Sequence, residues 1–309
     1  MKVLTKDMQE TIAKQMCLKA RDVDVCVFNA LDNALPKDLL LDSLMLYRNK
    51  DGGFGNGLHI DNYNPNTSVY QIYEAFRLMD ILDFNSNCDN ELFIDIVNKA
   101  CNYLYNREVP QNNKWNANTK TNNDYAHSKE FDYNESNEKL YGYHPTMAIL
   151  GYTLLFNKET KAYYKKALKM ASILIDEFLI KEDVTDLELI SFNSFLNSIK
   201  KLNLFTDKQD LIEAKLIKLA EERIGLDFEK EDNKNPLDLA LYVSSAKIDE
   251  YKNKQLDFII SSIAFHGLWD HKKTWGYDKY AEEDSALIKW VGAESVNNYF
   301  LLKKYGRIE

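Results

Sequence analysis

The stretch that decides the fold is Asp51-Gly-Gly-Phe-Gly-Asn-Gly-Leu-His-Ile-Asp61, which holds four of the eleven glycines in a chain of 309 residues. Glycine adopts positive φ without steric cost, so this stretch predicts a tight turn instead of a helix or a strand. We expect the Asp51 side chain to bond nearby backbone N–H groups and Phe54 to pack between helices. A phosphate-binding loop is the alternative, but the Lys-Ser/Thr ending of a P-loop is missing. Residues 51–66 are called the glycine-rich turn below.

On both sides of this turn, apolar residues recur with a helical period, and strand-like alternation is hard to find. Val69, Ile72, Phe76 and Met79, for example, form one continuous stripe. The pattern predicts an all-α chain of about twelve helices, or six hairpins, in a single domain that covers residues 1–309. The predicted helices are 5–20, 23–33, 37–49, 67–83, 91–106, 146–157, 160–180, 186–203, 208–224, 236–247, 252–265 and 286–304.

Three dipeptides recur before strongly apolar stretches: Asn64-Pro65, His144-Pro145 and Asn235-Pro236. Proline suits the first turn of a helix, because its missing N–H has no partner there, and a polar residue before it can cap the helix. Ser68 and Gln71 also have the spacing of a capping box. The dipeptides lie roughly 80 to 90 residues apart, and such divergent helical repeats favour a ring or a solenoid. We therefore predict a ring or a solenoid of helical hairpins.

Charge and composition exclude several classes of partner. The net charge of −9 argues against nucleic acid and anionic membranes as main partners. No apolar run approaches the roughly 20 residues of a membrane-spanning helix, and the first ten residues lack the apolar core of a signal peptide. We therefore expect a cytoplasmic protein with free cysteines and a small-molecule ligand. The 19 Tyr and 15 Phe residues indicate a thick core or an aromatic-lined cavity.

The most promising polar group follows the glycines. His59, Asp61 and Tyr63 alternate along the sequence, and alternate residues of an extended segment point to one side. A histidine beside a carboxylate is a plausible acid–base unit, so His59 and Asp61 are candidate catalytic residues and Tyr63 a candidate ligand contact. The alternative interpretation is a hydrogen-bonded loop without chemistry.

Two further segments break the helical rhythm. Residues 109–144, the long segment, contain the candidate acid Asp132 and the candidate ligand contacts Trp115, Tyr133 and His144. A loop this long in a compact domain is usually functional or mobile, and its aromatic content argues against disorder. His144, before Pro145, is also a candidate helix cap.

The second of these segments, residues 266–280, is called the C-terminal turn. It holds the densest aromatic and polar patch of the chain: the candidate acid Asp270 and the candidate ligand contacts Trp269, Trp275 and Tyr277. Tryptophan rings beside a carboxylate suit a glycan. The alternative is that the tryptophans only fasten the last hairpin.

Several motifs resemble those of a known superfamily. Asp51-Gly-Gly-Phe-Gly55 is similar to the turn repeated in terpenoid cyclases, squalene and hopene cyclases and protein prenyltransferase β subunits. The Pro-Asn-Thr-Ser68 helix start, Gly267-Leu-Trp269 and the tail from Trp290 also resemble this superfamily and its uncharacterised bacterial members. The resemblance implies an α/α toroid with a central aromatic-lined cavity that binds or processes a ligand such as an isoprenoid.

The chain departs from the superfamily where the known activities require particular residues. Arg48 stands where the turn usually has Gln, and no Asp-x-Asp-Asp acid or Asp-rich metal motif is found. No histidine pairs with a cysteine at metal-ligand spacing, so we assign no metal, and the cofactor is unknown. Two alternatives remain: a carbohydrate-active toroid with paired carboxylates, and a non-catalytic interaction module. The sequence does not indicate an oligomeric state.

Overall fold

The computed structural model describes residues 1–230, 234–271, 273–277 and 279–309. Within these ranges the regular structure is entirely helical, with thirteen α-helices and only isolated β-bridges, which confirms the all-α prediction. The helices are α1 (Lys6–Lys19), α2 (Asp22–Leu31), α3 (Leu39–Leu44), α4 (Val69–Ile81), α5 (Glu91–Asn102), α6 (Glu135–Tyr141), α7 (Thr146–Phe156), α8 (Ala162–Ile180), α9 (Asp186–Leu202), α10 (Thr206–Arg223), α11 (Pro236–Leu239), α12 (Ala246–Ser261) and α13 (Glu282–Lys304).

The predicted boundaries are wrong around the short helix α11. The predicted helix 236–247 ends already at Leu239, and α12 begins at Ala246 instead of residue 252. The reason is local, because the Ser245 hydroxyl accepts a hydrogen bond from the Ile248 N–H and caps a new helix. Helix α6, inside the long segment, was not predicted at all.

The predicted capping box at the start of α4 is only half formed. The Ser68 hydroxyl accepts the Gln71 N–H at 3.3 Å, as a cap should. The Gln71 side chain does not return to the cap, however. Its oxygen accepts the His59 N–H at 2.6 Å and its nitrogen donates to the Asn62 carbonyl at 3.1 Å. The second half of the motif therefore ties α4 to the glycine-rich turn.

The three prolines also differ in use. Pro236 occupies the first turn of α11, as predicted. Pro145 lies just before α7 and follows a cis peptide bond, and Pro65 lies four residues before α4. His144 is not the residue that caps α7, since that position belongs to Pro145.

The core is built around α7, in which every residue is buried. Gly151 lets α7 approach α9 closely, since a Cβ there would lie 3.2 Å from the Phe195 Cα. Next to this interface the Phe178 and Phe192 rings stack at 3.7 Å. A second, small apolar cluster of Ile60, Trp275, Ala286 and Ala293 supports the site described below.

The two ends of the chain pack together. Helix α13 contacts both α1 and α2, while α7 contacts α4 and α9, and α9 contacts α11. Leu4 donates its N–H to the Arg307 carbonyl at 2.8 Å and accepts the Glu309 N–H at 3.1 Å. These contacts are those expected of a ring, although the toroid itself stays a prediction. In the part of the chain that the structure describes, no helix is long and apolar enough to span a membrane.

Candidate functional site

The three irregular segments meet at one place. The Tyr63 N–H of the glycine-rich turn donates to the Ala126 carbonyl of the long segment at 2.9 Å. The Lys129 N–H of the long segment donates to the Trp275 carbonyl of the C-terminal turn at 3.1 Å. Backbone bonds of this kind pair groups that would otherwise be unsatisfied, so they hold the segments in register. The starts of α4 and α13 lie beneath this junction.

Asp61 lies at the centre of the junction and is only 5% exposed. Its Oδ1 atom accepts the indole N–H of Trp275 at 2.7 Å and that of Trp290 at 2.6 Å. Hydrogen bonds to a charged acceptor are stronger than bonds between neutral groups. Two rigid donors on one oxygen therefore fix the orientation of the carboxylate.

His59 lies beside Asp61 in an aromatic environment. Its ring packs against Tyr70, Phe131 and Trp290, with centroids 5.2, 4.8 and 5.7 Å away. The Asp61 N–H approaches His59 Nδ1 at 3.4 Å, which leaves the proton of the neutral ring on Nε2. Burial lowers the pKa of His59, and the charge of Asp61 only partly opposes this. The imidazole is thus held as a neutral base.

A second imidazole shares the same tryptophan. The His271 ring stacks on Trp290 with centroids 4.5 Å apart and planes 11° from parallel. Burial lowers the pKa of His271, while Asp61 raises it. Sequence reasoning did not select His271 or Trp290 as site residues. His271 lies in the C-terminal turn, from which only its neighbours were selected, and Trp290 begins the tail that was interpreted as part of the superfamily resemblance.

The three residues predicted to alternate along an extended segment lie in a turn, since the Asn62 N–H donates to the His59 carbonyl at 3.2 Å, and they meet through shared tryptophans. His59 and Asp61 both touch Trp290, while Asp61 and Tyr63 both touch Trp275. Tyr63 also accepts a hydrogen bond from the Lys289 ammonium at 2.6 Å.

Asp132 forms a second junction between the long segment and the C-terminal turn. It accepts the Tyr277 hydroxyl at 2.5 and 2.7 Å, and its Oδ1 lies 2.8 Å from His127 Nε2. His127 Nδ1 faces the Tyr125 carbonyl at 2.6 Å. Both ring nitrogens thus face oxygen acceptors. Asp132 and Tyr277 hold two segments together beside Asp61.

His144 lies deeper in the protein, under Tyr70. Its Nε2 is 3.3 Å from the Tyr70 hydroxyl, and its ring stacks on Tyr141. Burial lowers the pKa of His144 to about 3. Among the described residues, Nδ1 has no hydrogen-bond partner. A buried polar atom without a partner is unusual and marks a place that a ligand or water can occupy.

The other predicted residues lie apart from Asp61. Trp115 donates its indole N–H to the Leu104 carbonyl at 2.8 Å, and Trp269 donates to the Ile259 carbonyl at 2.7 Å. Each tryptophan is 2% exposed, so these two rings pack the core and present no face to a ligand. The Asp270 side chain is 60% exposed and pairs with His266. Tyr133 lies at the edge of the long segment, with the Lys120 ammonium 6.0 Å from its ring.

Charged residues continue along α4 and α13 below the junction. Glu74 and Arg77 form an ion pair at 2.7 Å, and Arg77 also donates to Asn297 at 3.0 Å. One turn past Trp290, burial raises the pKa of Glu294 to about 7, and the nearby Asp238 adds to the rise. Sequence reasoning missed these residues, because a helical stripe alone does not distinguish an inner polar face from a solvated one.

Comparison of the chain with known protein families, with curated proteins and with solved structures finds no match. Among the described residues, no group of three or more histidine, cysteine, aspartate or glutamate side chains is arranged to hold a metal ion. The resemblance to the terpenoid cyclase and prenyltransferase superfamily therefore stays a prediction. What the site can do has to be argued from its own geometry.

Proposed function

We propose that the chain binds a neutral carbohydrate at the junction of its three irregular segments and processes it by acid–base chemistry. The observation that carries this proposal is the Asp61 carboxylate, which two indole N–H groups orient beside His59. A fixed carboxylate next to a neutral imidazole combines a positioned acceptor with a base.

The surroundings of His59 suit a sugar better than an isoprenoid diphosphate. Asp61, Glu74, Glu130 and Arg77 all act electrostatically on His59, but Glu74 pairs with Arg77 and Glu130 with Lys273. The Asp61 oxygen bonds two neutral indole donors instead of a cation, and like charges repel, so a diphosphate beside Asp61 is disfavoured. Hydroxyl groups, by contrast, donate to carboxylates, and the half-buried aromatic rings of Tyr70 and Trp290 beside His59 offer apolar surface to the faces of a sugar ring.

We also propose that the helices form a closed α/α toroid, with the Asp61 junction at one mouth of a central cavity. The packing of α13 against α1 and α2 supports this arrangement. So does the step along α13 from Trp290 to Glu294 and Asn297, which follows one face of the helix toward its other end.

The test is a ligand screen on the full chain. Thermal shifts would be recorded with β-1,4- and α-1,4-linked oligosaccharides and with geranylgeranyl diphosphate plus Mg²⁺, and released reducing ends would be assayed. A ligand that binds the native state raises its melting temperature. We expect an oligosaccharide to stabilise the chain and to be cleaved.

The Asp61→Asn variant should lose cleavage, because the amide keeps the shape of the side chain but not its charge. Asp270→Asn is the matched control, since Asp270 is exposed and pairs only with His266 among the described residues. Stabilisation by the prenyl diphosphate alone would favour the isoprenoid alternative instead. A chain that responds to none of these ligands would argue for an interaction module.

A further inference from the structure

A separate cavity of about 290 Å³ opens between the ends of α4, α9 and α13. Its wall combines acidic, basic and apolar side chains. Along α13, fourteen residues separate Trp290 at the Asp61 junction from Lys304 in the cavity, which is about 20 Å at the rise of an α-helix. The cavity is therefore independent of the proposed carbohydrate site. It is lined by Leu31, Asp80, Ile81, Asp83, Asn197, Lys201, Tyr242, Phe300, Lys303 and Lys304.

Asp80 supplies an acceptor that its neighbours do not satisfy. It is 7% exposed, and within the described ranges its Oδ1 atom has no hydrogen-bond partner. The Lys201 ammonium lies 3.6 Å from this oxygen, which is close enough for an ion pair but too long for a hydrogen bond. A buried acceptor without a hydrogen bond is unfavourable, so a ligand that donates to Asp80 would be stabilised there.

Lys304 supplies a positive charge at the same cavity. Its ammonium lies over the Tyr242 ring, 4.5 Å from the centroid. Of the three lysines, Lys201 pairs with Asp83 and Lys303 donates to the Leu31 carbonyl. No carboxylate oxygen of the described residues lies within ion-pair distance of the Lys304 ammonium. Burial lowers the pKa of Lys304 and Lys201 lowers it further, while Asp80 and Asp83 raise it. An anion in contact with the ammonium would favour its charged form.

Part of the wall is apolar. Leu31, Ile81 and Phe300 come from three different helices and line the space together with the polar Asn197. The cavity thus combines an acceptor for an ammonium group, a cation that pairs with a carboxylate, and an apolar surface. A ligand that fits all three has an ammonium group, a carboxylate and an apolar side chain.

We propose that this cavity binds a free α-amino acid with an aliphatic side chain. The ammonium group donates to Asp80, the carboxylate pairs with Lys304, and the side chain packs against Leu31, Ile81 and Phe300. The volume is close to the lower end of small-molecule sites, about 300 Å³, which suits a ligand of this size.

The experiment is calorimetric titration of the full chain with L-leucine and two analogues, each lacking one charge. Leucinamide lacks the carboxylate, and 4-methylpentanoate lacks the ammonium group. We expect L-leucine to bind and each analogue to bind at least about tenfold more weakly, which corresponds to roughly 1.4 kcal/mol. Equal binding of leucine and either analogue, or no binding of leucine, would overturn the proposal.

Variants test the two charges from the protein side. Lys304→Met and Asp80→Asn should each weaken leucine binding about tenfold or more. Lys254→Met, at an exposed site on α12, should bind like the parent chain. If Asp80→Asn does not fold, Lys304→Met and the analogues still decide the matter. Asp61→Asn should leave leucine binding unchanged, which separates this site from the carbohydrate site.

Discussion

The Asp61 Oδ1 atom and the Trp290 indole nitrogen lie 2.6 Å apart, although 229 residues separate them in the chain. This bond joins the glycine-rich turn to the last helix, and Trp275 joins the C-terminal turn to the same oxygen. One carboxylate oxygen thus connects the beginning and the end of the chain at the candidate site.

Replacing Trp290 with Phe should destabilise the protein, because the ring is kept while one of the two donors to Asp61 is removed. A hydrogen bond to a charged group contributes about 1.5–3 kcal/mol, and Trp275 remains in place, so we expect a loss of about 1–2 kcal/mol. Urea unfolding monitored by circular dichroism measures this. Tyr125→Phe, at a residue that is 39% exposed, is the control and should change the free energy of unfolding by less than about 0.5 kcal/mol. Equal stability of the Trp290→Phe variant and the parent would show that the hydrogen bond between Trp290 and Asp61 does not stabilise the fold.

Glu294 should make stability fall as pH rises. Its pKa is raised from the usual 4.5 to about 7, chiefly by burial. Between about pH 4.5 and pH 7, the Glu294 carboxyl loses its proton in the unfolded chain but keeps it in the folded chain. Folding therefore becomes less favourable as the pH increases. At 1.36 kcal/mol per pKa unit, this contribution amounts to about 3 kcal/mol above pH 7.

The Glu294→Gln variant has no carboxyl to titrate and should lose this dependence. We expect it to match the parent near pH 4 and to be more stable near pH 8, as measured by denaturant unfolding at each pH. Glu10→Gln, at an exposed site on α1, should instead follow the parent at both values. Parallel pH profiles for Glu294→Gln and the parent would show that Glu294 is ordinarily solvated.

Arg307 should be essential to the contact between the two ends of the chain. It is 3% exposed and donates to the Lys2 carbonyl, Asp257 and Asn253 at 2.8, 2.8 and 2.7 Å. Removing one partner of a fully buried ion pair costs about 3–5 kcal/mol. Because Asp257 is 35% exposed and water can replace its partner, we expect Arg307→Met to lose a smaller amount, about 1–3 kcal/mol.

Hydrogen exchange gives the local readout for this variant. The amides of Leu4 and Glu309, which bond across the two ends, should exchange faster in Arg307→Met, while amides of α7 change only with global stability. Arg107→Met, at an exposed arginine, is the matched control. Unchanged protection at Leu4 would mean that the ends meet without Arg307.

The sequence predicted helix boundaries well where the apolar pattern and the capping residues indicate the same ends. Helix α7, predicted at 146–157, spans Thr146–Phe156, and α9, predicted at 186–203, spans Asp186–Leu202. In α9, Thr185 and Glu188 form a complete capping box that defines the start. The prediction failed at α11, where an apolar pattern continued past the point at which Ser245 starts a new helix.

The candidate site was likewise predicted in part, since the sequence indicates local groups of residues but not their distant neighbours. Alternation along an extended segment predicted that His59, Asp61 and Tyr63 face one space. The segment is a turn instead, in which the Asn62 N–H donates to the His59 carbonyl at 3.2 Å. The sequence carried no information on the neighbours, which are Trp290 for His59 and Trp275 for Tyr63, with Asp61 bonded to both. The sequence predicts Trp115, Trp269 and Trp275 alike as ligand contacts. In the structure, the indole groups of Trp115 and Trp269 bond core carbonyls, whereas that of Trp275 bonds Asp61.

The sequence by itself determined the helical class and the glycine-rich turn, since each depends on residues a few positions apart. Only the tertiary structure decided that Trp290 and Trp275 share one oxygen of Asp61, that His271 stacks beside them, and that Asp80 and Lys304 line one cavity. Those pairs are distant in the chain. Their meeting depends on how whole helices pack, and no local pattern encodes that.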